Sequence, residues 1–423
     1  MAYSKKFQSL TKSLKMRKSK ILIISQHFWP ESFRSTDIAE YFVENDYEVD
    51  VLCGIPNYPM GRFFDGYSIF KNRRQKYKDI NIERVLEIPR GNNAGLRIFL
   101  NYMSFPFFSL FHIPRLLFRK YDKIFMFQTS PVFMTIAGII VGKLKKVETT
   151  MYVLDLWPEN LYSVLDLKNA FLRKLMTYMS HWHYRHVDKL IVLSSSMHKH
   201  LLQLSGLSPN RIVVVPQAAE KVYENNLNDK ELENKFSKGF NLVFTGSITP
   251  AQSFNTMIEA ANIIKSKGIE DINWIIVGDG MSKSWLEDQV KKSGLQDCFY
   301  FEGQKPIEDI PKYTNIADGL IGCLVKSNLL EATIPAKVMS YIASAKPLIL
   351  AMDGEVQDLI NNIIRGGYAG PTEDAKALAE NIMKLYNLPK KDWIAISKRL
   401  SMYHKKNFER NLLLNKINQF IFD

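Results

Sequence analysis

The chain has 423 residues, of which 46% are apolar and 23% charged, an ordinary globular composition with material for two or three domains. With 21 Gly and 17 Pro, collagen-like and low-complexity chains are excluded. Three scattered cysteines, Cys53, Cys298 and Cys323, exclude a disulfide scaffold or a zinc module and point to a reducing compartment. The formal charge of +13 is lopsided. Residues 1–220 hold 31 Lys/Arg against 18 Asp/Glu, whereas residues 221–423 hold 25 of each. One half of the chain therefore addresses an anionic partner: nucleic acid, a phosphorylated substrate or an anionic membrane surface.

Residues 1–19 read as a basic tail without the apolar core of a secretory signal. Short β-branched runs then alternate with helical stretches. Strands are predicted at 20–25, 47–53, 80–88, 123–127, 149–154, 189–193 and 211–215, with helices at 35–45, 131–144 and 194–204. A Pro/Gly/Tyr-rich loop fills the gap up to residue 79. This series makes a first Rossmann-like domain, 20–216. A polar linker is expected at 217–239.

A second series follows in 240–400. Its predicted strands are 240–245, 274–277, 298–302, 319–324 and 347–351, and helices run from there to the end. A C-terminal helix at 401–423 is placed as packing back on the first domain. Alternating strands and helices imply parallel, doubly wound sheets, hence an α/β fold of two tandem domains. Ligands of such sheets lie outside the carboxyl ends of the strands, which makes a cleft between the domains the natural site. The segment 96–118 approaches transmembrane length, but Arg97, Asn101, Pro106, His112, Pro114 and Arg115 argue for a partly buried helix pair or an interfacial element.

Six segments carry candidate chemistry. The turn after the first strand holds His27, Glu31 and Arg34 among aromatics, a mixture suited to sugar hydroxyls, and it lacks the Gly-x-Gly-x-x-Gly of dinucleotide binding. The Gly54–Gly61 loop presents Asn57 and Tyr58 as either an acceptor contact or a stiff turn. Asp155-Leu-Trp157-Pro-Glu159 sets two carboxylates past a strand end, for hydroxyl binding, proton transfer or simple helix capping. Thr245-Gly246-Ser247 with Gln252, and Gly278-Asp-Gly280, are small-residue turns that let an anion approach backbone amides. Glu331-Ala-Thr333-Ile-Pro335-Ala-Lys337-Val-Met-Ser340 marks a helix start whose first-turn amides and lysine suit a diphosphate. The run His181-Trp-His183-Tyr-Arg-His186 does not place three histidines on one helical face, so no metal site is expected.

In this order and spacing, the six segments resemble the family-four retaining glycosyltransferases of the GT-B fold. The closer likeness is to bacterial O-antigen and capsule enzymes of the L-fucosamine-transferase type. The resemblance implies two Rossmann-like domains about a central cleft, the second binding a UDP-sugar and the first the acceptor. Gly246, Ser247 and Gln252 would line the diphosphate, with Pro335 and Lys337 opposite. Gly303 and Lys305 would meet the base, and Gly278, Gly280, Thr333 and Ser340 would complete the donor site. Acceptor contacts would come from His27, Glu31, Arg34, Asn57, Tyr58, Trp157 and Glu159.

The chain departs from the wider family in having Ser247 and Gln252 where Arg and Lys are frequent. It also has Ala332 and Ser340 where a Glu-x7-Glu pair is expected. Asp155 and Glu331 are left as the candidate catalytic carboxylates. The implied reaction moves a sugar, such as N-acetyl-L-fucosamine or another N-acetylhexosamine, to a lipid-diphosphate-linked saccharide. It needs neither metal nor cofactor, and it takes place at the inner face of the cell membrane in polysaccharide synthesis. Competing readings are a sugar-nucleotide 2-epimerase of similar architecture and a non-catalytic sugar- or nucleic-acid-binding protein. No nucleic-acid motif supports the last of these.

Overall fold

A computed structural model describes residues 17–91, 95–159, 169–224 and 227–423. The chain divides into two compact units. The first runs to Ile191 and adds Leu204–Ile212 and Asn418–Asp423. The second comprises Val192–Gln203 and Val213–Ile417.

The first unit is built on a sheet of eight strands. They are β1 (Lys20–Ser25), β2 (Glu48–Cys53), β3 (Arg74–Tyr77), β4 (Ile80–Arg84), β5 (Lys123–Gln128), β6 (Thr149–Val153), β7 (Lys189–Val192) and β8 (Ile212–Val214). Their order is β3-β4-β2-β1-β5-β6-β7-β8. The strands β1, β2, β5 and β6 are buried almost end to end, and so read as continuous apolar runs. The chain reverses direction of growth at β1 and β5, so the switch point lies outside the carboxyl ends of those strands.

The second unit carries β9 (Phe240–Thr245), β10 (Ile272–Val277), β11 (Phe299–Gly303), β12 (Gly319–Cys323), β13 (Leu348–Ala351) and β14 (Gly367–Gly370). Their order is β11-β10-β9-β12-β13-β14, all parallel. This is the doubly wound order 3-2-1-4-5-6, with its switch point between β9 and β12. Phe244, Trp274, Ile276, Ile321 and Ile349 form its core with Met257 and Ile258 of the Phe254–Ser266 helix.

Two strands escaped the sequence reading. β3 lies in the expected loop; its Arg-Gln-Lys-Tyr sequence has no buried face because it is an edge strand, antiparallel to β4. β14 is Gly-Tyr-Ala-Gly, and glycine argues against a strand. Here Gly367 has φ +150°, and a Cβ on it would lie 2.0 Å from the Leu348 carbonyl oxygen, so the close approach to β13 requires glycine. The strand expected over 80–88 ends at Arg84, after which the chain turns into a buried polar cluster.

The 96–118 segment is broken into a helix over Gly95–Ser109, a 3₁₀ turn over Leu110–His112 and a helix over Ile113–Phe118. Among the described residues no helix is long and apolar enough to cross a membrane. Residues 217–239, expected as a linker, cluster with the second unit, where Phe236 is buried. In the first unit Phe422 packs on Tyr47 at 4.6 Å and on Phe42 at 6.3 Å. Of the 1–19 tail, residues 1–16 lie outside the described residues.

Candidate functional site

In the second unit the carboxyl ends of β9, β10 and β11 are knitted turn to turn. The Gly246 N–H donates to Val277 (3.0 Å), the Ile248 N–H to Asp279 (2.9 Å) and the Gly278 N–H to Gly303 (2.9 Å). Gly278 has φ +150°, and a Cβ there would sit 1.9 Å from the Gly246 carbonyl oxygen, so only glycine permits this spacing. Opposite, the Ala336–Ala343 helix starts after Pro335 with no side-chain cap, leaving its first-turn amides available. Tyr341 fixes that helix over the switch point. Its buried hydroxyl accepts from the Thr245 N–H (2.8 Å) and lies 3.3 Å from the Ile321 carbonyl, bridging β9 and β12.

Lys337 is the cation of this edge. Its Nζ donates to Gln252 Oε1, lies 4.0 Å over the Phe244 ring and comes within 3.2 Å of where a Gly246 Cβ would be. Among the described residues no carboxylate pairs with it. Burial pushes its pKa down to about 7. A partly buried ammonium with one neutral acceptor, beside open amides and a glycine turn, is poised for an anion.

The remaining donor candidates divide. Ser247 is exposed at the turn, and Gly280 has φ +159° against Ile248. Thr333 closes its own turn by donating to Leu330 (3.2 Å). Ser340 is buried and donates to Glu220 Oε2 (2.7 Å), so a carboxylate that the sequence reading passed over stands at this helix. Lys305 lies 4.0 Å from Glu302 and over the Tyr313 ring. Glu331 is partly buried at the end of the short Asn328–Glu331 helix.

In the first unit, the turn after β1 is braced against the loop after β2. His27 Nδ1 lies 3.0 Å from Glu31 Oε2, and its ring stacks on Phe33 at 4.6 Å. Glu31 Oε1 accepts from the Asn57 N–H (2.8 Å) and the Tyr58 N–H (2.7 Å). Asn57, fully buried, spends its amide on the Ile55 carbonyl (2.9 Å). Trp157 is buried between Phe133 and Tyr102, and its indole N–H donates to Ser130 Oγ (3.0 Å). Glu31, Asn57 and Trp157, expected as acceptor contacts, also hydrogen-bond within their own loops.

Ser130 donates in turn to Asp155 Oδ2 (2.7 Å). Burial pushes the Asp155 carboxyl above its usual range, against the pull of Ser130 and Arg90. Arg90 bonds the Tyr102 hydroxyl (2.7 Å) and sits over the rings of Tyr102 and Tyr58. Arg34 and Glu159 are partly buried, and the charge of Arg34 reaches buried Tyr152.

Glu87 was missed. Its Oε1 accepts from Gln26 (2.6 Å) and Asn101 (2.8 Å), while a Cβ on Gly54 would lie 1.9 Å from Oε2. Burial pushes Glu87 up to about 7, although His27 and Gln26 pull it down. The available signal was an acid directly flanked by Leu86 and Ile88. Of the histidine run, His183 bonds the Thr135 hydroxyl (2.8 Å), and burial pushes it down to about 3; His186 meets the Trp182 carbonyl. Among the described residues no group of three His, Cys, Asp or Glu side chains could hold a metal.

Residues 34–220 match the family Glycosyltransferase Family 4, and residues 225–402 match Glycosyl transferases group 1. The chain belongs to these glycosyltransferases. Across 421 residues it is 21% identical to the colanic acid biosynthesis glycosyl transferase WcaI of Escherichia coli, covering 96% of this chain and 99% of that one. Across 192 residues it is 24% identical to the amylovoran biosynthesis glycosyltransferase AmsK of Erwinia amylovora, or 44% of this chain and 47% of that one.

Among solved structures, Anabaena HepE in complex with UDP and glucose superposes with TM-score 0.69 at 14% identity, over 95% of this chain and 98% of that one. WaaG, a glycosyltransferase involved in lipopolysaccharide biosynthesis, gives 0.67 at 14% identity, over 95% and 99%. The fold of this glycosyltransferase is therefore GT-B, with two α/β units of parallel sheet. The group 1 match contains the Gly246–Lys337 edge, and the family 4 match contains the His27 brace only from Arg34 onward, together with Asp155.

Proposed function

We propose that this glycosyltransferase takes a UDP-sugar in its second unit and passes the sugar, with retention and without a metal ion, to a lipid-linked saccharide. The setting is O-antigen, capsule or exopolysaccharide synthesis at the cytoplasmic face of the membrane. The observation that carries the reading is Lys337: a partly buried ammonium with no carboxylate partner among the described residues, beside uncapped helix amides and the Gly246 turn. Such a group stabilises charge that grows on a leaving diphosphate. In the transfer, the bond between the anomeric carbon and the diphosphate oxygen breaks. A bond to the acceptor oxygen forms, and the acceptor's proton passes to the departing diphosphate. Asp155, held by Ser130 past the end of β6 and pushed above its usual range by burial, binds an acceptor hydroxyl.

WcaI and AmsK, named for colanic acid and amylovoran biosynthesis, support an exopolysaccharide product, and HepE, solved with UDP, supports a uridine donor. The donor sugar we favour is an N-acetylhexosamine such as N-acetyl-L-fucosamine. The basic first half and the exposed aromatics Phe107, Phe111 and Phe118 support docking of the first unit on an anionic leaflet. A screen of UDP-sugars for thermal stabilisation, then for UDP release with and without a lipid-linked acceptor, tests the reading. Release of UDP that needs the acceptor supports transfer. Conversion of the nucleotide sugar alone would instead identify a 2-epimerase.

A further inference from the structure

The first unit has a cationic cavity that the transfer chemistry does not use. It measures about 390 Å³ and is lined by Arg73, Arg74, Glu83, Arg84 and His112. Arg84 is buried, and four of its contacts are to fixed acceptors: Cys53 Sγ, the Gly54 and Trp29 carbonyls and Gln75. Its buried Nε has no hydrogen-bond partner. Glu83 is shared among His112 (3.2 Å), Arg115 (3.0 Å), Arg119 (3.3 Å) and Arg74 (3.8 Å). Burial raises the Glu83 carboxyl, but His112 and these arginines outweigh it and hold it below its usual range. Three guanidinium groups, those of Arg74, Arg115 and Arg119, thus pair with Glu83 or Asp50, Arg73 and Arg84 line the same cavity, and Arg74 projects a mostly exposed fork into solvent.

The rim is apolar. Phe111, 70% exposed, immediately precedes His112, and Phe118, 92% exposed, immediately precedes Arg119. Arg73 bonds the Ile69 carbonyl (3.0 Å), which places Phe70, 88% exposed, beside it. A cationic pocket whose neighbours in the chain are exposed aromatics matches a phosphate at the level of lipid headgroups with acyl chains beyond. We propose that this cavity receives the headgroup phosphate of an anionic phospholipid while Phe70, Phe111 and Phe118 enter the leaflet. The inference rests on the membrane-docking reading above and gives it a contact site.

Vesicle co-sedimentation of the full chain tests it, comparing phosphatidylcholine with phosphatidylcholine–phosphatidylglycerol mixtures at low and high salt. Wild type is expected on the anionic vesicles only, and less at high salt. R74Q/R115Q is expected to weaken this partition by roughly ten- to thirtyfold, at about 1 kcal/mol per surface arginine and 1.4 kcal/mol per decade. F111S/F118S is expected to weaken it as well. K390Q/K391Q, exposed in the second unit, is expected to leave it unchanged. Each variant must keep the wild-type melting curve and UDP-sugar stabilisation, so that loss of fold is not read as loss of binding.

If wild type ignores anionic vesicles, the docking reading itself fails. If wild type binds but R74Q/R115Q binds equally, or K390Q/K391Q loses as much, only the cavity assignment falls. Binding to neutral vesicles doped with a prenyl diphosphate that R74Q/R115Q loses, while its binding to phosphatidylglycerol vesicles is unchanged, would overturn the phospholipid as occupant.

Discussion

Lys337 gives the sharpest test of the donor site, because its charge and its function are linked through pH. With its pKa near 7, the free protein carries the ammonium below neutrality and loses it above. A bound diphosphate favours the charged form and raises that pKa, so binding above pH 7 takes up a proton. The apparent Kd for a UDP-sugar should therefore be flat near pH 6 and rise about tenfold per unit above 7. The rise is capped by what the charge contributes. A charge-assisted hydrogen bond is worth roughly 1.5–3 kcal/mol, or about one to two decades. A nucleotide sugar is the right ligand, since its diphosphate does not itself titrate in this range.

Calorimetry in buffers of different ionisation enthalpy should detect about 0.4–0.8 of a proton taken up per donor at pH 8, from a pKa raised by the same one to two units. K337A should bind one to two decades more weakly at pH 6 and show no pH dependence. K337R, which stays charged throughout, should also be flat, and tighter than K337A. Wild-type affinity that does not change between pH 6 and 9, or K337A that binds and turns over like wild type, would refute the assignment.

Gly278→Ala should abolish UDP-sugar stabilisation and cost about 1–3 kcal/mol in urea denaturation, because its Cβ strikes the Gly246 carbonyl at a positive φ; near-wild-type stability and binding would show that the turn is not held as described. Glu87 has a folded pKa of about 7 against a usual 4.5, so the folded chain keeps a proton the unfolded one has lost, and stability should fall as pH rises through that window. Glu87→Gln should remove the slope and leave the variant more stable than wild type at pH 8 by at most about 3 kcal/mol; equal destabilisation at pH 5 and pH 8 would contradict this. Transfer should persist in EDTA, and activity abolished by the chelator and restored by magnesium or manganese would exclude the metal-free route.

The sheets were legible because their strands are buried on both faces. An uninterrupted run such as Ile21–Ile24 or Leu348–Ala351 has no other use in a chain of this length. The strands that failed were those whose stability comes from neighbours: β3 as a polar edge on β4, and β14 as a glycine strand laid tightly on β13. The candidate site was legible in position but less so in role. Turns after strands are where ligands of such sheets lie, and Gly246, Gly278 and Lys337 follow from that rule. Asn57 and Trp157 sit in equally suggestive motifs, yet hydrogen-bond to their own scaffold, because a shaped loop needs internal partners before it can present any external ones.

The residues that were missed share one property: each acts on a partner distant in sequence. Tyr341 is a helix residue like its neighbours until its hydroxyl is seen between β9 and β12, 96 and 20 residues away. Glu220 lies in a stretch read as linker, and becomes notable only through Ser340, 120 residues on. The same holds for the chemistry of Lys337. Its place at a helix start suggests an anion site, but an ordinary surface lysine there would be solvated and permanently charged. Burial against Phe244, supplied by β9 some 90 residues earlier, makes its charge conditional. A lysine that is neutral half the time near pH 7 and charged when a diphosphate arrives couples the anion to its own neutralisation, which a solvated lysine cannot do.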